Sequence, residues 1–148
     1  MAKFATITVQ KLDEINKFKT EAAFSGITTA LASNGASTAT YGAVFAMDSR
    51  DDKYLILAQN VAASGDDKTV TIKAGNGIQG VADVAKTDLG YGEYTLIAIE
   101  SGRFKNVTEN ATLKALSSAT SADQISAKGK VFITGTSADI KVAVFKLP

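Results

Sequence analysis

The chain has 148 residues, 16 basic and 15 acidic side chains for a formal charge of +1, 45% hydrophobic residues, and neither histidine nor cysteine. That length fits one domain with a real core, and the apolar fraction is too high for a disordered chain. The near-neutral charge removes the main driving force for nucleic acid. The missing residue types exclude disulfides, thiolate nucleophiles, histidine triads and imidazole or cysteine metal sites.

The N-terminal stretch MAKFATITVQ has one early lysine and then alternating residues, without the apolar core of a signal peptide, which argues against cleavable export. Residues 5–10 read as a strand. Leu12, Ile15, Phe18 and Ala22 then fall at roughly helical spacing within residues 11–24, which fits a short amphipathic helix or an irregular arm. The polar stretch 28–39 is a place to look for a flexible contact surface. Strands follow at 40–47 and 53–60, separated by the turn Asp48-Ser49-Arg50-Asp51-Asp52. The apolar run at 54–58 is far too short to span a bilayer.

Residues 69–73, TVTIK, alternate cleanly, with Val70 and Ile72 on one face. Further strands are expected at 94–100, 104–107, 131–134 and 140–147. In the last, Ile140, Val142 and Val144 share one face while Ala143, Phe145 and Leu147 share the other. Apolar residues on both faces imply a strand covered on both sides or engaged in an interface. Residues 109–127 are rich in Ala, Ser and Thr and read as an insertion, a loop or a short helix near 112–118. About eight short strands with close turns predict a mainly β chain. The expected architecture is a single antiparallel β-sandwich over residues 1–148, jelly-roll-like or immunoglobulin-like, with a short N-terminal helix or arm within 1–24.

Several motifs invite a chemical reading. Gly75-Asn76-Gly77-Ile78-Gln79-Gly80 is a literal G-x-G-x-x-G after a strand, and Glu100 stands about twenty residues further on, as a dinucleotide site requires. A crossover helix must follow, however, and residues 81–92 contain Asp83, Asp88, Gly90 and Gly92, which break one. The motif reads better as a glycine turn in which Asn76-Gly77 supplies positive φ. Asp51-Asp52 and Asp66-Asp67 read as solvated hairpin ends, and Asp48, Asp51 and Asp52 lack calcium-loop spacing. Without histidine, only lysine could activate a serine, as in Ser101 with Lys105 or Ser64 with Lys68; a turn serine beside a solvated lysine is the simpler reading. Asn106 and Asn110 begin sequons that have meaning only in a secretory pathway. The expectation is a protein that is not an enzyme, with no catalytic, cofactor or metal residues, and no nucleic-acid or membrane partner.

A set of strings resembles the decoration, or cement, proteins that coat tailed-bacteriophage capsids. They are RDDKYLIL at 50–57, KTVTIKAGNGIQG at 68–80, IESGRFKNV at 99–107, KGKVFITGT at 128–136 and residues 139–148. The resemblance implies a virion structural protein, made in the bacterial cytoplasm and bound to the capsid exterior. Its partner would be the major capsid protein, it would stabilise the head, and it would need no cofactor. Self-association, a trimer among the options, follows from the two apolar faces of the last strand. On this reading Leu12, Ile15 and Phe18 of the arm would lie across neighbouring capsid subunits, and Arg103, Phe104 and Lys105 form a second contact. The alternative is a carbohydrate- or receptor-binding sandwich of a phage tail or fibre, for which the absence of Trp leaves a thin stacking platform.

Overall fold

A computed structural model describes residues 2–12, 27–47 and 53–148. Its strands are β1 (Ala5–Thr6), β2 (Gln10–Lys11), β3 (Thr29–Ala30), β4 (Ala32–Ser33), β5 (Tyr41–Ala46), β6 (Lys53–Asn60), β7 (Lys68–Ile72), β8 (Val84–Leu89), β9 (Tyr94–Glu100), β10 (Lys130–Gly135) and β11 (Ile140–Lys146). Two short helices, α1 (Ser101–Phe104) and α2 (Ala111–Leu116), and a 3-10 turn at Ser121–Asp123 lie between β9 and β10.

The strands form two sheets packed face to face, a β-sandwich. One runs β1-β5-β10-β7-β8 with β4 on β5; the other runs β2-β11-β6-β9 with β3 on β11. Pairing is antiparallel apart from two short parallel contacts, β1 on β5 and β2 on β11. Period-two alternation explains the packing. Tyr54, Ile56 and Ala58 of β6, Val70 and Ile72 of β7, and Ile140, Val142 and Val144 of β11 all turn inward into one core with Phe45, Val131 and Ile133.

Residues 109–127 do more than connect. Val44 and Phe132 point out of the first sheet, yet both are fully buried, because they join Phe4, Leu113 and Ala127 in a second, smaller core. Phe4 meets Phe132 edge-on, with ring centroids 6.3 Å apart. Its ring also occupies the space that a side chain at residue 42 would need, which explains Gly42 near the start of β5. The expected short helix is α2, capped by Asn110 Oδ1, which accepts the Leu113 N–H at 3.2 Å.

Four readings are corrected. The strand expected at 5–10 is two short bridges, because the chain leaves β5 after Thr6 and joins β11 at Gln10. The strand expected at 104–107 is absent: α1 ends there, and Asn106 turns inward to bond residues around β10. The strand expectation passes over residues 81–92, where β8 pairs antiparallel with β7. Residues 28–39 are in part built into the sheets. They contain β3 and β4, and Asn34 Oδ1 accepts the N–H groups of Ala36 and Thr40 while its Nδ2 donates to Leu116 O. The helix or arm expected over residues 11–24 falls mostly on residues 13–26, outside the described residues.

Candidate protein-contact site

Two segments singled out in the sequence come together at one end of the sandwich: the glycine motif after β7, and the 101–109 segment after β9. Asn76 is the clamp. Its Oδ1 accepts the N–H of Val107 at 2.9 Å and, more weakly, that of Thr108 at 3.4 Å. Its Nδ2 donates to the Thr108 carbonyl and hydroxyl, both at 3.1 Å, and to Glu109 O at 3.3 Å. One amide thereby satisfies both directions of the facing backbone.

Gly75 is pressed against the other segment. Its N–H donates to Arg103 O at 3.0 Å, and a Cβ there would collide with the Lys105 carbonyl. Gly80 folds back so closely on Gly75 O that it too admits no side chain, and Gln79 Oε1 lies over Gly102. None of Gly75, Gly77 and Gly80 is among the positive-φ glycines, which are Gly35, Gly65, Gly92 and Gly129. The motif therefore uses glycine for close approach of backbones, and not for the left-handed turn expected at Asn76-Gly77.

The base of the loop is pinned by Asp83. Its Oδ2 lies 2.6 Å from Lys73 Nζ and its Oδ1 accepts the Ala74 N–H at 2.7 Å. Partial burial pushes the Asp83 carboxyl up, but the hydrogen bonds from Lys73 and Ala74, with the lysine's charge, outweigh it and leave the group below its ordinary value. The 101–109 side is equally built. Asn106 is fully buried, with its Nδ2 donating to Lys130 O at 3.0 Å and its Oδ1 accepting from Asn110 Nδ2 at 3.1 Å. A buried, bonded Asn106 side chain cannot carry a glycan. Glu109 Oε1 accepts the Ala127 N–H and its Oε2 accepts from the Ser126 hydroxyl, each at 2.6 Å.

This braced pair presents apolar side chains to solvent. Ile78 is fully exposed at the apex, Val81 is 83% exposed and Val107 53% exposed. Between Ile78 and Val107 lies a shallow groove of about 470 Å³, lined also by Gly77, Gln79, Ser101, Gly102 and Lys105. Such side chains on a braced loop resemble the anchors of a protein interface, and exposed Arg103 adds a cation on the 101–109 segment.

The six residues predicted for partner contact separate. Arg103 is exposed, and its Cζ lies over the Phe104 ring, 5.3 Å from the centroid. Lys105 lines the groove. The Phe104 ring is buried in the main core, where it holds α1 to the sandwich and is not presented to a partner. Leu12 is half-buried and its N–H donates to Lys146 O at 2.9 Å; Ile15 and Phe18 lie outside the described residues, as do Asp48, Asp51 and Asp52. The Ser101–Lys105 pair is a backbone turn, Lys105 N–H to Ser101 O at 3.0 Å. The buried Ser101 Oγ bonds to neither Lys105 nor any other described group. Ile78, Val81 and Val107 were missed from sequence. Their signal was an isolated apolar residue inside turn-forming composition, where no periodicity marks it.

Comparison with known protein families, characterised proteins and solved structures found no match. Among the described residues no helix is long and apolar enough to cross a membrane.

Proposed function

We propose that this chain is a non-enzymatic structural protein of a bacteriophage virion that binds the outer surface of the capsid, through the major capsid protein, and stabilises the head. The observation that carries the reading is the braced loop pair. Ile78 and Val81 on one segment and Val107 on the other stand in solvent, with the pair fixed by Asp83 and Asn76. Holding three apolar side chains in water on a pre-ordered scaffold suits a protein partner, since little ordering entropy remains to be lost on contact. The strings that resemble cement proteins include both halves of this loop pair. Contacts of modest size repeated over a capsid lattice raise the effective affinity of each copy. Synthesis in the host cytoplasm and a place on the virion exterior belong to the same proposal.

The test is co-sedimentation of purified protein with undecorated, DNA-filled heads, followed by heating of coated and bare particles. Saturable binding at a fixed ratio to capsid subunits with delayed DNA release is the expected result. Failure to bind any matching head, together with binding to a glycan array, would replace this reading with the tail or fibre module.

A further inference from the structure

The sandwich has two edge strands on one side, β8 and β9, and they are finished differently. β8 carries exposed Lys86 and Asp88, paired at 2.7 Å, and its register with β7 is broken by an irregularity between Lys68 and Val70. Charge and irregularity are the usual protection of an edge against pairing. β9, the edge of the other sheet, has neither. Over its seven residues, YTLIAIE, it has no Pro and no Gly, and its only charge is the final Glu100, which faces Lys53 across the β6 pairing. Tyr94 is 65% and Leu96 52% exposed on its outer face. No other described strand pairs with its free edge.

Immediately inside that edge an apolar cleft of about 200 Å³ opens between the sheets, lined by Ile56, Ala58, Val70, Ile72, Val84 and Ile97 among others. The two ends of the edge also differ in charge. At the β8–β9 turn, Glu93 accepts the Gly90 N–H at 2.8 Å, Asp67 lies beside it and Asp88 is two residues back, three carboxylates that Lys86 offsets only in part. At the other end, α1 brings Arg103 and the following Lys105 just beyond Glu100.

We infer that β9 is a self-association edge: two copies of this chain pair β9 against β9 antiparallel about a twofold axis, joining their sheets into one. Antiparallel pairing sets the acidic turn of each copy towards the basic α1 end of the other, whereas parallel pairing would set like ends together. It also closes the cleft over Ile97 in both copies. The last strand, despite its two apolar faces, cannot supply the edge: β11 lies inside its sheet, between β6 and the short strands β2 and β3. This inference stands apart from capsid binding. A seven-residue edge spans about 24 Å, and one strand pair of that length covers less than the roughly 800 Å² per partner of a stable dimer. Association is therefore weak and dependent on concentration, with a dissociation constant in the range of about 10 µM to 1 mM.

Sedimentation velocity of the full chain across that concentration range tests it, with hydrogen exchange read at both ends of the range. The expected result is a monomer–dimer equilibrium that weakens with salt, with added protection at high concentration confined to amides of residues 94–100. Leu96→Lys, at an exposed position, should keep the thermal midpoint of the parent and weaken dimerisation about tenfold or more, because it sets a charge against the partner's strand. A chain that stays monomeric up to about 1 mM overturns the inference. So does a dimer whose added protection lies outside β9, or one that Leu96→Lys leaves unchanged.

Discussion

Asn76 Oδ1 accepts the Val107 N–H at 2.9 Å, which ties the loop after β7 to the segment after β9 across 31 positions of chain. The two segments belong to opposite sheets, and this amide is the main polar link that sets their relative height. With the Gly75 N–H to Arg103 O bond it holds Ile78 and Val107 side by side. Asn76→Ala should lower stability by about 1–3 kcal/mol, the worth of a few partly exposed hydrogen bonds. It should also speed hydrogen exchange of the Val107 amide more than that of core amides such as Ile133. Urea denaturation and exchange measured on the same variant check both.

The sandwich was legible because alternation in residues 53–60, 69–73 and 140–147 depends only on which side of a strand meets the core. What stayed hidden depended on tertiary contact. β8 reads as VAKTDL and is exposed over four of its six residues, so as an edge strand it has almost no apolar pattern to show. Val44 and Phe132 break the alternation of β5 and β10 because residues 109–127 cover them from outside, a fact no local window contains. At the candidate site, Arg103 and Lys105 were visible as cations beside an aromatic, but the burial of Phe104 was not. Ile78 and Val81 had no periodic partners to mark them.

The glycine motif separates two explanations by substitution. Gly77 has an ordinary φ, and a Cβ there would meet Val107 Cγ1 at 3.5 Å, an ordinary contact. Gly77→Ala should therefore be neutral, or stabilising by up to about 1 kcal/mol through the unfolded chain. Gly75→Ala would drive a methyl into the Lys105 carbonyl, which is backbone and held by α1. It should destabilise by about 2 kcal/mol or more, as overpacking against an unyielding neighbour does. Thermal melts of the two variants side by side give the answer. A positive-φ turn at Asn76-Gly77 would instead make Gly77→Ala the costly one.

Exposure and function part company at the apex of the loop. Ile78 is fully exposed, so Ile78→Ser should change folding stability by no more than about 0.5 kcal/mol. If the loop is the capsid contact, the same substitution should weaken head binding by about 1 kcal/mol or more, roughly fivefold, with a larger loss when Val81→Ser is added. Binding isotherms on undecorated heads, paired with melts, separate the two effects. Unchanged occupancy in the double variant would move the contact to another face.

Glu109 should give the fold a dependence on acid. Its carboxylate accepts hydrogen bonds from the Ser126 hydroxyl and the Ala127 N–H, with a further one from Asn110, and these hold its pKa below the ordinary value of 4.5. The unfolded chain takes up the proton first as pH falls. The stabilisation is therefore complete above the unfolded value and is lost as pH drops through the lower folded value. The thermal midpoint should accordingly decline on acidification from about pH 5 downward. In Glu109→Gln the midpoint starts lower at neutral pH, the decline is shallower, and the two curves converge at the acid end. The slope that remains in the variant belongs to groups such as Asp83, whose pKa is also depressed. Midpoints recorded from pH 7 to pH 3 for both chains test this, and parallel curves would remove Glu109 as a source of the acid sensitivity.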